Sequence, residues 1–157
     1  QGIPAGLSIQ NPDAFYNLIN SVGAEEPTNF PPTHAGDEIE YIMQIERQSN
    51  NYAERLRDVY NAGTNSGTVY PDLYPFIAPS GSLHNPLAPQ LKIVSRLISG
   101  GIGTKIFLCR IGGFDTHANQ VDATDKTRGA HANLLTQLSA AIAAFQADAN
   151  SKRTSSA

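Results

Sequence analysis

The sequence predicts an α/β architecture, helix-rich and with few strands in this stretch of chain. Three observations point there. The run from Lys105 to Ile111 is apolar with no polar alternation until Arg110, the pattern of a strand covered on both faces, as in parallel sheets. Segments with three-and-four apolar spacing lie on either side of it: Leu87, Leu91, Val94 and Ile98 before, and Leu135, Leu138, Ile142 and Phe145 after. Between the run and the second of these segments stands Gly112-Gly113-Phe114-Asp115-Thr116-His117-Ala118-Asn119-Gln120. A glycine turn with an acid and an imidazole at a strand exit is how open α/β sheets build sites at their carboxyl edge. Helix, strand, loop, helix is the back half of an α/β unit.

Taken in order, the chain reads as one partial domain over 1–157 with five parts. In 1–36, Ile3 to Ile9 is a short strand that Pro4 confines to an edge or a strand start. Asn11 and Pro12 then cap a short helix from Asp13 to Asn20, and a Pro-rich loop follows from Ser21 to Gly36. Over 37–63 lies the longest helix, Asp37 to Asn61, with a narrow stripe of Ile42, Ile45, Tyr52, Leu56 and Val59 and Gly63 as its stop. So narrow a stripe fits a helix lying on a surface. The prolines and aromatics of 64–82 predict an irregular, partly packed connection. The core is 83–148: a helix opened by Asn85-Pro86 and ended by Gly100-Gly101, the strand Lys105–Ile111, the Gly-Gly-Phe-Asp-Thr-His turn, and a helix from His131 to Asp148. Residues 149–157 read as a polar tail. The chain opens at Gln1 in mid-phrase and closes without a final strand, which predicts a piece of a larger protein.

Bulk composition excludes several classes of partner. With Lys+Arg 11 against Asp+Glu 14 and a net charge of -3, the chain carries no basic footprint for nucleic acid or an anionic membrane. No stretch is apolar and long enough to span a bilayer. Charged residues are 16% of the chain, against roughly 25% in an average soluble domain, with Asn, Ser, Thr and Gln in their place. Cys109 is the only cysteine, so neither an intrachain disulfide nor a cysteine-built zinc site is available. Its apolar setting is that of a small buried hydrophobe. With sheet partners outside the chain, exposed apolar surface is expected to drive self-association.

Chemistry concentrates at Asp115 and His117. One residue separates them, so in an extended backbone both side chains lie on one side and converge on a metal ion or a phosphate-like group. The plainer reading is a turn after a strand, its Gly-Gly and Asp-Thr serving turn geometry. His131 is either a packed or capping histidine or a site residue. His34 and His84 fall in Pro-rich loops and read as solvated, Asp122 and Asp125 as loop and helix-start residues. Ser8, Ser95 and Ser139 lack a nucleophile-elbow context, so no hydrolase triad is proposed.

The Gly112–Gln120 phrase has flanks of Leu87-Ala88-Pro89-Gln90-Leu91-Lys92-Ile93-Val94, Arg96-Leu97-Ile98 and Leu134-Leu135-Thr136-Gln137-Leu138 through Ala144-Phe145. With them it resembles a sulfatase-like, exported bacterial family known only as a domain of unknown function. The resemblance is best over residues 70–145. That family is similar in turn to the alkaline phosphatase and sulfatase superfamily, so the resemblance implies a fragment of a doubly wound fold and one corner of a metal site. It implies a parent acting as a metal-dependent hydrolase of phosphate or sulfate esters, at the periplasm or cell surface. Asp115 falls on the position of a metal ligand. His117 departs from the superfamily's Asp-x-x-x-His spacing, which leaves it as a ligand or a neighbour of one. Thr116 and Gln120 would orient the ligands, and His131 is a possible further member of the site. The implied cofactor is a divalent metal (zinc, calcium or similar) in the full-length protein, bound weakly or not at all by this fragment. The alternative is a non-catalytic surface or assembly module in which the motif is a structural loop.

Overall fold

The computed structural model describes residues 29–72, 84–118 and 120–155. The strand expected at Ile3–Ile9 and the helix at Asp13–Asn20 lie outside them. Three helices order the described chain: α1, His34–Ala62; α2, Ala88–Ser99; and α3, Ala130–Ser155. No strand or sheet occurs among the described residues, only an isolated bridge at His84, beside which the Asn85 amide donates to the Asp72 carbonyl. The fold is all-α there, and the α/β expectation, with its fragment of a doubly wound sheet, is overturned. A strand is defined by its ladder, and among the described residues Lys105–Ile111 has no neighbouring strand to supply one. The contact pattern divides the chain into two compact units, Gln1–Asn61 and Ala62–Ala157.

In the first unit, α1 begins where Thr33 takes the N-cap role. Its Oγ1 accepts the Gly36 amide at 3.2 Å and its carbonyl accepts the Asp37 amide at 3.0 Å. Asp37 sits in the first turn, where the helix dipole favours an acid. Only the C-terminal part of the expected stripe is covered: Leu56 and Val59 are buried, together with Ala53 outside the stripe, whereas Ile42, Ile45 and Tyr52 are exposed.

The second unit is built on α2 packed against α3. Asn85 organises the start of α2. Its buried Oδ1 accepts the amides of Leu87 (3.1 Å) and Ala88 (3.3 Å), and its Nδ2 donates to the Gln137 carbonyl of α3 at 2.8 Å. One amide side chain thus caps one helix and ties it to the next. At the other end Gly100 and Gly101 return their amides to the carbonyls of Arg96 and Ile98, with Gly101 at φ 81°. Gly63 lies so close to the Arg96 carbonyl that a side chain there has no room. Beside it Thr64 brackets Ser99, its amide donating to Ser99 Oγ at 3.0 Å and its carbonyl accepting from it at 3.3 Å. Residues 64–72 are irregular, as expected.

The helix expected to stop at Asp148 runs on to Ser155, so 149–155 is helix and not tail. Lys152 pairs with Asp148 one turn back (3.1 Å), and Lys152 and Arg153 place cations in the last turn. The side of α3 that is buried is made of Asn133, Gln137, Ala141, Ala144 and Asp148. Ile142, expected in the core, is exposed, as is Leu135 of the same stripe, while Leu138 and Phe145 are half-buried. The apolar cluster is Leu87, Ala88 and Ala141, with Tyr70, Leu91, Cys109, Ile111 and Leu138 packed on it. A small residue, Ala141, lies at its centre and lets elements approach closely where the bulkier Ile142 would hold them apart.

Candidate functional site

From Ile102 to Thr116 the chain contains no helix, turn or bend. It is extended, and it alternates: Phe107, Cys109 and Ile111 are half-buried, whereas Ile106, Leu108 and Arg110 are exposed. Gly113 takes φ 92°, a region that favours glycine, and the chain bends only at His117. The Asp-x-His spacing brings its two side chains together. His117 Nε2 lies 2.9 Å from Asp115 Oδ1, with the two side chains 90% and 77% exposed. So open a pair is screened by water and orders little around it.

The other candidates are arranged separately. Thr116 is half-buried and Gln120 exposed. The Gln120 carbonyl accepts the His131 amide at 3.2 Å, which fastens the loop to the first turn of α3. Gly129, at φ 129°, permits this approach, since a Cβ there would stand 2.6 Å from that carbonyl. The His131 side chain is half-buried. Among the described residues no hydrogen bond or ion pair joins Thr116, Gln120 or His131 to the Asp115–His117 pair. The loop between is self-contained. Asp122 Oδ1 accepts from Thr124 Oγ1, Thr124 N and Asp125 N, and the Thr124 hydroxyl, ahead of the two amides, holds its carboxyl down at about 2. Asp125 repeats the device on Thr127, which lowers its carboxyl likewise. His84 pairs with Asp72 at 3.3 Å and His34 with Glu38 at 3.8 Å, all four side chains solvated. Burial pushes the Cys109 thiol up, so it is a poor nucleophile.

A metal requires about four donors in fixed geometry. Asp115 and His117 offer two, and no group of three or more His, Cys, Asp or Glu converges among the described residues. The pair fits one edge of a coordination sphere and does not complete one.

The strongest polar constellation was not foreseen. Asp148 is 3% exposed; its Oδ2 accepts the Tyr70 hydroxyl at 2.8 Å, and its Oδ1 faces Lys152 Nζ at 3.1 Å as an ion pair without hydrogen-bond alignment. Lys152 also donates to Ser95 Oγ at 2.9 Å. Burial alone would raise the Asp148 carboxyl, but the polar groups that surround it, Ser66, Ser95, Tyr70 and Lys152, outweigh it and hold the group at about 2. Burial, then the bond to Asp148, push the Tyr70 phenol well up. Ser95 beside a lysine has the makings of a nucleophile and base, yet Ser95 is buried and Lys152 is committed as a cation to Asp148. The cluster is a structural clamp. Its signal in the sequence was the Asp148/Lys152 spacing of four, available once the tail is read as helix.

Comparison of the chain with known protein families, with characterised proteins and with solved structures finds no match. Among the described residues no helix is long and apolar enough to cross a membrane.

Proposed function

We propose that this chain is a non-catalytic assembly module that associates with itself through exposed apolar surface. The observation that carries the reading is an inversion within the second unit. Asn85, Asn133, Gln137 and Asp148 are buried, while Ile106, Leu108, Leu135 and Ile142 face water. Apolar groups left out of a core in this number mark a surface that another molecule covers. Leu135, Leu138 and Ile142 lie along one open face of α3, too open to enclose a small molecule. Sedimentation velocity across a wide concentration range tests this. A rising sedimentation coefficient with concentration is the expected result, and a single monomeric species throughout rejects the reading.

A second reading is favoured by the 2.9 Å approach of His117 to Asp115. In a longer, exported chain that supplied further donors, the pair would form one corner of a divalent-metal site in a phosphate- or sulfate-ester hydrolase, as the resemblance of the Gly112–Gln120 phrase implies. A bound metal would act there as Lewis acid. Asp115→Asn and His117→Ala, each made in the full-length protein, should lower bound metal measured by elemental analysis. Metal-free wild type, or full retention by both variants, removes this reading and leaves the motif as a loop.

A further inference from the structure

We propose that the Lys105–Ile106 bond is a cleavage site, at which an endopeptidase specific for basic side chains cuts the folded chain and leaves a two-chain molecule. This property belongs to the single copy and does not draw on the assembly reading. An endopeptidase takes a few residues of its substrate in extended form, through main-chain hydrogen bonds and a pocket for the side chain before the scissile bond. A folded protein is cut quickly only where its backbone already has that form, stands clear of its surroundings and is not committed to internal hydrogen bonds.

Eleven Lys and Arg residues are candidates, and all of them fall among the described residues. Three lie in α1, two in α2 and two in α3, where the backbone is coiled and hydrogen-bonded. Lys126 stands in a turn, its ammonium donating to the carbonyls of Asp122 at 3.2 Å and Ala123 at 3.3 Å. Arg128 is tied on both sides: its amide donates to the Asp125 carbonyl at 3.0 Å, and its carbonyl accepts the Asp122 amide at 2.8 Å. Arg110 is extended, but Gln90 holds its N–H at 2.9 Å and its carbonyl at 2.8 Å, and Ile111 beyond the bond packs on the apolar cluster. Lys105 alone meets every condition. From Gly103 to Cys109 no backbone group has a hydrogen-bond partner among the described residues. Gly103, Thr104, Lys105 and Ile106 are exposed in succession, Ile106 to 85%. A Cβ on Gly101 or Gly103 would meet no atom within 4 Å, so the backbone there stands in open space.

Hydrolysis adds one water across the bond. Its oxygen goes to the carbonyl carbon, which ends as the Lys105 carboxylate, and its two protons leave with the Ile106 nitrogen as a new α-ammonium group. Nothing is oxidised or reduced. The contacts that join the two pieces survive the cut: Asn85 to Gln137, Lys152 to Ser95, and Tyr70 to Asp148. The product is therefore a nicked molecule held at the α2–α3 seam.

The probe is trypsin acting briefly on the whole native chain, with fragments identified by mass spectrometry. Expected first are residues 1–105 and 106–157, formed at least about tenfold faster than any other product, because every other site waits for local opening. The two fragments should elute together in size exclusion without denaturant and separate in urea. Lys105→Gln should abolish this cut and leave the circular dichroism melt unchanged. A first cut at any other basic residue overturns the site, as does an equally early cut elsewhere in Lys105→Gln or digestion that begins everywhere at the rate of global unfolding. Fragments that part without denaturant overturn the two-chain product.

Discussion

The inner side of α3 and the extended segment from Thr104 to Ile111 treat hydropathy in opposite ways. The first buries Asn133, Gln137 and Asp148; the second holds Ile106 and Leu108 in water. The difference lies in hydrogen bonding. Each buried polar group on α3 finds partners: Gln137 Nε2 donates to Asn133 Oδ1 at 2.8 Å, the Gln137 carbonyl receives Asn85, and Asp148 holds Tyr70 and Lys152. A satisfied polar group is stable inside, and an unsatisfied one is not. The extended segment carries apolar side chains on a backbone whose groups, Arg110 apart, lack partners among the described residues, and only its anchored face is covered. Partner supply, more than hydropathy, decides what is inside here.

The comparison breaks first at Asp148. Asp148→Ala strands the Lys152 ammonium and the Tyr70 hydroxyl in a buried site, and a loss of roughly 3–5 kcal/mol is expected in urea melts. Replacing Asp148 by Leu together with Lys152 by Met removes both charges and should restore most of it. A cost under about 1 kcal/mol for the single change would mean that the seam is open to water. Next comes Asn85→Ala, which removes the acceptor for two α2 amides and the donor to Gln137; roughly 2–3 kcal/mol is expected by the same measurement. Retention of full stability would show that neighbouring groups or water take over the cap.

The acid limb sharpens the same point. Asp148 titrates lower in the folded chain, about 2, than its ordinary value. Its contribution is therefore fully present above the unfolded pKa, near 4, and is lost as pH falls toward 2; about 2 kcal/mol should disappear over that window. Asp148→Asn should flatten the acid limb of a stability–pH curve, apart from a residual slope from Asp122 and Asp125. At the other extreme Tyr70 titrates higher when folded. Its contribution is complete below the unfolded phenol value, about 10, and fades above it. Tyr70→Phe should remove that alkaline loss.

Much of the helical content was legible because it is local. Asn85-Pro86, Gly100-Gly101 and Gly63 are caps and stops that act within a turn of chain, and the helices begin or end near them. What was not legible depended on distant partners. The apolar run at Lys105–Ile111 reads as a doubly covered strand, but a sheet needs neighbours that periodicity in one segment cannot announce. On α3 the large apolar residues looked like the inward face, whereas the Asn85–Gln137 bond and the Tyr70–Asp148 contact turn the polar and small residues inward. At the candidate site, the convergence of Asp115 and His117 follows from a spacing of two along an extended chain. The further donors that a metal would need are not a property of that phrase.

The smallest expected effect is the one that tests the comparison most sharply. Leu108 and Ile111 lie three residues apart on the same extended segment, on opposite faces of it. Leu108 is almost fully exposed, and Ile111 packs on the apolar cluster. At concentrations where the chain is monomeric, Leu108→Ser should leave stability within about ±0.5 kcal/mol, because the leucine makes almost no contact to lose. Ile111→Ala at the same dilution removes partly buried methyl groups and should cost about 1–2 kcal/mol, below the range for a full core position. The contrast between the two is the prediction. If Leu108→Ser destabilises the diluted chain as much as Ile111→Ala does, the segment is covered on both faces within a single copy. The exposure of the outward face, on which the assembly reading draws, would then fall.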